Sequence, residues 1–166
     1  MYKDLDEKDR QLINHLQGDA RLTNTELARR VDLSPPGLQR RLRKLEESGV
    51  IKQYVALVNW EALGFDMLCY VQATLLRHEP ASIRLFKEAI QSMPEVLECH
   101  HITGEFDYLL KIIVRNRKHL QEFLVEKLTP VPGIDKIRTS LVLSEIKSTT
   151  GVPLNLLPQE VGDARG

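Results

Sequence analysis

Two stretches of the sequence gather residue types able to do chemistry. The first runs Leu33-Ser34-Pro35-Pro36-Gly37-Leu38-Gln39-Arg40-Arg41-Leu42-Arg43-Lys44-Leu45-Glu46, with Arg40, Arg41, Arg43 and Lys44 inside five positions and no acid among them. Such a cluster either solvates a helix face or lies against a polyanion, since guanidinium groups pair with phosphates and with guanine edges. The second is Thr103-Gly104-Glu105-Phe106-Asp107. Gly104 permits a positive φ, a turn of that kind can aim successive N–H groups at an anion, and Asp107 can accept hydrogen bonds from an ammonium. A free amino acid carries both of those groups on one carbon. The same residues also make a plain hairpin in which Asp107 bonds its own turn, and from the residues alone both readings stand.

His100, His101, Cys69 and Cys99 carry weaker signals. Adjacent residues of a strand point to opposite faces, so the two histidines are poorly placed to share an ion. No zinc-ligand spacing, phosphate loop, dinucleotide fingerprint or nucleophile elbow occurs in the chain. These four residues are therefore read as structural, with no metal, no cofactor and no catalytic residue expected.

The chain has 166 residues, 42% of them hydrophobic and 28% charged, enough for one ordinary domain or two small ones. No apolar run approaches the roughly 20 residues that a membrane-spanning helix needs. The start Met1-Tyr2-Lys3-Asp4-Leu5-Asp6 has no apolar stretch of the secretory kind. With only two cysteines, the expectation is a reduced, cytoplasmic protein, associated with the nucleoid if it binds DNA. Lys and Arg number 23, as do Asp and Glu, yet residues 29–44 hold Arg29, Arg30, Arg40, Arg41, Arg43 and Lys44 against Asp32 alone. A polyanion is steered by that local field rather than by the net sum.

The elements that must position the basic cluster read as three helices. Asp6 caps a first helix extending through Gln17, with Leu12, Ile13 and Leu16 at helical spacing. Thr23 and Glu26 form a capping box that opens a short second helix, which turns Leu27, Ala28 and Val31 inward. Ser34 is an N-cap and Pro35 suits the first helical position of a third. On that helix Leu38, Leu42 and Leu45 share one arc, Pro36, Arg40, Arg43, Lys44 and Glu47 project the opposite way, and Gln39 and Arg41 lie on the flanks. A short helix, a turn and a basic helix make a helix-turn-helix, whose second helix enters the major groove. In that context the DNA reading is preferred, with Ser34, Pro36, Gln39, Arg40, Arg41, Arg43 and Lys44 as candidate contacts.

Val50–Asn59 reads as an extended segment too apolar for a flexible linker, pairing as a wing or with a second subunit. Beyond Phe65 the pattern becomes strand 66–76, helix 80–92, strand 96–103, strand 108–114, helix 117–128 and a long strand 134–147. This β-α-β-β-α-β order is the ferredoxin-like split βαβ arrangement, so the fold class is α+β. Met93-Pro94-Glu95-Val96 and Val131-Pro132-Gly133-Ile134 recur at the same corner of each half. The expected organisation is a helix-turn-helix domain over 1–50, a linker or wing over 51–64, the ferredoxin-like domain over 65–150 and a tail over 151–166. Trp60 is expected at the domain junction and Pro158–Gly166 is expected to be disordered. Two helices cover one sheet face, and the other, carrying Tyr70, Leu110 and Ile112 or their alternates, is expected to be bare and self-associating.

From about Leu5 to Pro153 the chain resembles the Lrp/AsnC (leucine-responsive/asparagine-responsive, feast/famine) transcription regulators. The resemblance is carried by Leu33-Ser34-Pro35 with Arg40-Arg41 and Leu45-Glu46, by Tyr54-Val55-Ala56-Leu57-Val58-Asn59, and by Glu98-Cys99-His100. It continues through Thr103-Gly104-Glu105-Phe106-Asp107-Tyr108-Leu109-Leu110-Lys111, Pro132-Gly133, Arg138-Thr139 and Glu145-Ile146-Lys147. It implies an amino-terminal domain on double-stranded DNA and a carboxy-terminal domain that binds small effectors, usually amino acids. It implies dimers that assemble further, often into octamers. It also implies an effector pocket between subunits, lined here by Thr103, Gly104, Glu105, Phe106 and Asp107 with Thr139 and Ser140 of the last strand. Asp32 stands where glycine is frequent in the family, and Pro36-Gly37 is an unusual opening for the reading helix, so no operator sequence carries over.

Two other classes compete with an effector-gated regulator. Some tetrapyrrole decarboxylases resemble the same two-domain architecture, but their third helix need not stay basic, as it does here. A ligand sensor that never touches DNA is opposed by Arg40, Arg43 and Lys44.

Overall fold

The computed structural model describes residues 5–77 and 79–157, so the expected disorder of 158–166 lies outside the described residues. The chain forms two compact units, Met1–Leu57 with Lys147–Gly166, and Val58–Ile146.

The first unit is built on α1 (Glu7–Gly18), α2 (Asn24–Arg30) and α3 (Pro35–Glu47). Each helix starts where a side chain accepts from the free N–H groups of its first turn. Asp6 accepts from the Asp9 amide, Thr23 and Glu26 close the reciprocal capping box, and Ser34 accepts from the Gly37 amide at 3.3 Å. Leu12, Ile13, Leu27, Ala28, Val31, Leu38 and Leu45 form the core, with Leu42 partly buried beside them. Between α2 and α3 the chain reverses through Asp32, which adopts φ 52°. This left-handed conformation is strained for most L-residues and mild for aspartate, so the turn forms without glycine. Lys8 Nζ donates to the Val31 carbonyl at 2.7 Å and ties α1 to the same turn.

The second unit holds β1 (Met67–Leu75), α4 (Pro80–Gln91), β2 (Val96–His101), β3 (Tyr108–Val114), α5 (Arg117–Glu122) and β4 (Ile134–Leu141). The sheet order is β2-β3-β1-β4 with every neighbouring pair antiparallel, the ferredoxin-like arrangement. The expected second helix ends in a widened π turn over Phe123–Leu128. An i+5 repeat brings Phe123 and Leu128, both fully buried, to one side of that turn. The last strand stops at Leu141, short of the expected Lys147, because β1 runs out. Val142 donates to the Leu68 carbonyl, one residue from the start of β1.

One sheet-face expectation is corrected. Leu110 and Ile112 lie under the helices, in a core with Cys69, Val71, Ala73, Phe86 and Phe123. Their alternates face the other way, where the register sets Tyr70 beside Lys111 and Ser140, and Leu109 beside Gln72 and His100. That face is mixed rather than simply apolar. Glu98 accepts there from His100 and Lys111 at 3.1 and 3.0 Å, and those two bonds, His100 first, hold its carboxyl below the usual range.

Residues 52–59, expected to be extended and paired, carry no regular secondary structure and no strand pairing among the described residues, and Tyr54, Val55, Leu57 and Val58 are exposed. Residues 151–157, expected as a separate tail, pack with the helical unit. Leu154 is buried in its core and Val152 bonds Gln17 through both backbone groups.

Candidate functional site

On α3 the burial pattern separates the basic residues into two kinds. Gln39, Arg40, Arg43 and Lys44 are exposed, with Ser34 and Pro36 at the amino-terminal end of the same face. Arg40, Arg43 and Lys44 hold no ion pair among the described residues. A helix that leaves several cations unneutralised on one face presents a field to which a phosphate backbone is the natural complement.

Arg41 is different. Its guanidinium reaches back to α1, donating to Asp6 at 2.6 Å and Asp9 at 2.7 Å. The Asp9 side chain is 1% exposed, so the pair is a partly buried clamp that fixes the pitch of α3 against α1. Burial works against the Asp6 carboxylate, but the Asp9 amide and Arg41 outweigh it and lower its pKa. The bond to Asp6 leads the causes that raise the Arg41 pKa. A place on the flank of α3 foretold that Arg41 differs from Arg40, but nothing local named its partners.

A groove of about 410 Å³ opens beside this face, walled by Gln39, Leu42, Arg43 and Glu46, by Leu16, Ala20, Asn24 and Leu27, and by Tyr54. The Tyr54 hydroxyl donates to Glu46 at 2.9 Å, and burial together with that bond pushes the phenol up to about 12. This contact pins the start of the extended segment to the end of α3. It was not anticipated, since Tyr54 read as part of an apolar run and of the stretch that carries the resemblance, neither of which names Glu46 as a partner.

In the second unit the 102–107 loop is tied down at its base. The Ile102 amide donates to the Asp107 carbonyl at 2.9 Å, and the Asp107 amide to Ala73 at 3.1 Å. The Asp107 carboxylate itself accepts from the Leu75 amide at 2.8 Å. Asp107 therefore serves the loop structurally, and a ligand ammonium would share a carboxylate already oriented by β1. Gly104 adopts φ 122°, a conformation closed to most side chains, and Thr103, Gly104 and Glu105 are exposed while Phe106 is buried. Thr139 and Ser140 are not gathered to this loop within the chain. They pair with Val71 and Tyr70, beyond the Ala73 position that adjoins the loop, and they point to opposite faces of the sheet.

His100 and His101 likewise diverge, His100 to Glu98 on one face and His101 onto the Tyr108 ring on the other, with centroids 5.1 Å apart. Cys69 is buried, Cys99 is exposed, and both are free thiols.

Two family models match the chain, one for a winged helix-turn-helix DNA-binding domain over residues 5–52 and one for the Lrp/AsnC ligand binding domain over 68–152. The chain is 42% identical over 147 residues to the leucine-responsive regulatory proteins of Klebsiella pneumoniae and Escherichia coli K12, covering 89% of this chain and 90% of theirs. Among solved structures it is similar to the transcriptional regulator NMB0573 of Neisseria meningitidis in complex with L-Met. That similarity has TM-score 0.88 at 36% identity and covers 92% and 98% of the two chains. It is also similar to the feast or famine regulatory protein Rv3291c of M. tuberculosis complexed with L-methionine, with TM-score 0.81, 31% identity and coverage of 90% and 99%. With its helix-turn-helix unit, its ligand-binding unit and relatives along nearly its whole length, the chain belongs to the Lrp/AsnC family of DNA-binding transcription regulators.

Proposed function

We propose that this regulator reads double-stranded DNA through α3 and that an amino acid bound at the 103–107 loop changes how it does so. The observation that carries the first half is the division of labour on α3. Arg41 is spent inward on Asp6 and Asp9, while Arg40, Arg43 and Lys44 face solvent unneutralised. Arg40, Arg43 and Gln39 are assigned to base edges or phosphates, and Ser34, Pro36 and Lys44 to the flanking backbone. Arg41 takes a positioning role, holding the helix that the others read with.

An amino-acid effector is supported by the exposed turn at Thr103-Gly104-Glu105 next to the anchored carboxylate of Asp107. It is supported too by the L-methionine bound to the similar proteins of N. meningitidis and M. tuberculosis. Thr139 and Ser140 do not meet the loop within one chain and point to opposite faces, so a part in the pocket for either one requires a second subunit. That need and the exposed apolar residues of segment 54–58 support a homodimer, and the family resemblance supports a larger homo-oligomer such as an octamer. The protein acts by binding rather than catalysis, in the cytoplasm at the nucleoid. Among the described residues no helix is long and apolar enough to cross a membrane.

The test is fluorescence anisotropy on a duplex selected by the protein from a random library. Each neutralised phosphate adds about −0.9 to the slope of log K against log salt. Arg40→Ala is expected to weaken selected-site binding by roughly 1–3 kcal/mol if it reads a base, and Arg43→Ala to act likewise or to flatten the slope by about one unit. Unchanged binding by both variants would refute the α3 assignment. A thermal-shift panel of the common amino acids identifies the effector, since a ligand at 100 times its Kd stabilises by ~2.7 kcal/mol.

A further inference from the structure

The described residues from Lys147 on do not stay with the sheet that β4 completes. Lys147 onward belongs to the helical unit, so that unit is made from both ends of the chain and the ligand-binding unit Val58–Ile146 is inserted within it. The attachment is specific. The Val152 amide donates to Gln17 Oε1 at 2.6 Å, and Gln17 Nε2 donates to the Val152 carbonyl at 3.2 Å. One side-chain amide of α1 thus satisfies both backbone groups of a residue 135 positions away. Next comes a 3₁₀ turn over Leu154–Leu156, in which residues three apart eclipse. Leu154 and Leu157 therefore fall on one side, Leu154 buried at 8% exposure in the helical core and Leu157 packed against it. The intervening Leu156 is exposed.

A unit joined by a single linker can reorient widely; a second connection leaves fewer orientations open to it. Val142 is still bonded to Leu68 at the edge of the sheet, and Val152 is already bonded to α1. At most ~3.3–3.6 Å per residue, the ten steps between them span no more than about 35 Å. We propose that Val152–Leu157 is a second tether, docked in the DNA-binding unit, that restricts how that unit moves relative to the ligand-binding unit. Through it a ligand acting on β4 reaches α1 and, by the Arg41 clamp, α3. This last coupling rests on the reading that Thr139 and Ser140 of β4 line the effector site; the tether itself does not.

The test uses the full chain with Cys99→Ser and fluorophores at Arg21→Cys and Lys87→Cys, one exposed site in each unit, diluted into unlabelled chain. Wild type is expected to give a narrow inter-unit distance distribution. Leu154→Asp, and a chain ended after Gly151, should each at least double its width, and Leu154→Met should keep it narrow. Gln17→Ala, which leaves both leucines in place, should free the Val152 amide to exchange and broaden the distribution in part. An unchanged width in Gln17→Ala with a freed Val152 amide, or in Leu154→Asp with α3 amides still protected, overturns the proposal. Loss of Val152 protection on dilution into tail-less chain would place the segment on a second copy and overturn it equally. With L-methionine as probe, truncation should cut the ligand's effect on DNA affinity at least tenfold while leaving its binding unchanged. A full effect in the truncated chain removes the coupling. No response in wild type sinks the effector reading instead, because the tether is measured without ligand.

Discussion

Replacing Arg41 with alanine should destabilise the helical unit far more than it harms any direct contact with DNA. The guanidinium donates to Asp6 and Asp9 at 2.6 and 2.7 Å, and the Asp9 side chain is almost fully buried. Breaking a buried ion pair from one side costs roughly 3–5 kcal/mol because the remaining charge stays desolvated. Asp6 is half exposed and Arg41 a quarter exposed, so solvent screening lowers the expectation to about 2–4 kcal/mol. For a unit of this size each kcal/mol moves Tm by about 4–8 °C, so a calorimetric melt should show its transition falling by on the order of 10 °C or more. Asp9→Asn removes the charge that Arg41 neutralises, so the double variant should be less destabilised than the two single losses summed, by roughly 1–2 kcal/mol. Arg40→Ala, on the exposed face, should leave Tm within about 1–2 °C of wild type, as surface substitutions usually do. An Arg41→Ala protein that melts like wild type but loses DNA affinity as Arg40→Ala does would show that Arg41 reads DNA and that the clamp is incidental.

Asp32→Gly should raise stability by about 0.5–1 kcal/mol, because the left-handed backbone at φ 52° then carries no Cβ; an unchanged or lower Tm contradicts this. Glu95 is buried and accepts from His119 at 3.2 Å and from Lys127. Burial alone raises its carboxyl, but the Lys127 and His119 bonds prevail and hold the pKa below 4.5. Its stabilisation is therefore present above the unfolded value and fades as pH falls through the lower folded one. Glu95→Gln should cost roughly 1–3 kcal/mol at pH 7, in melts whose gap from wild type closes below the ordinary carboxylate range. Asp107→Asn keeps an acceptor for the Leu75 amide and removes the charge. It should preserve the fold and DNA binding but weaken the amino acid found by thermal shift by roughly 2–5 kcal/mol, and calorimetry showing wild-type affinity would place the pocket elsewhere.

The elements were legible where their signals are local. Ser34 with Pro35, and Thr23 with Glu26, mark helix starts through bonds spanning three residues, and both form as read. The β-α-β-β-α-β order was readable from period changes and corner residues. The sheet face was not, because Tyr108-Leu-Leu-Lys-Ile-Ile-Val is apolar on both sides and its alternation is nearly silent. The end of β4 depended on where β1 starts, which no residue of β4 encodes. Arg41 finds partners more than thirty positions away, and Gln17 finds Val152 across the whole second unit. Long-range pairing of single polar groups leaves no periodic trace. For the ligand site the loop was visible through Gly104, but the bond from Leu75 to Asp107 and the distance of Thr139 and Ser140 along β4 needed the register of the sheet.

A helical unit completed by Leu154 and Leu157 has a consequence for its synthesis. The ribosome delivers α1, α2 and α3 well before Leu154 and Leu157, which help to close their core. At about 5–20 residues per second, the roughly one hundred residues between Leu57 and Leu157 take on the order of 5–20 s to make. During that interval the nascent helices carry an open apolar seam where Leu154 will sit, and Gln17 has nothing to hold. A chain that stops short of Leu154 would keep that seam open and leave its apolar residues within reach of chaperones and proteases.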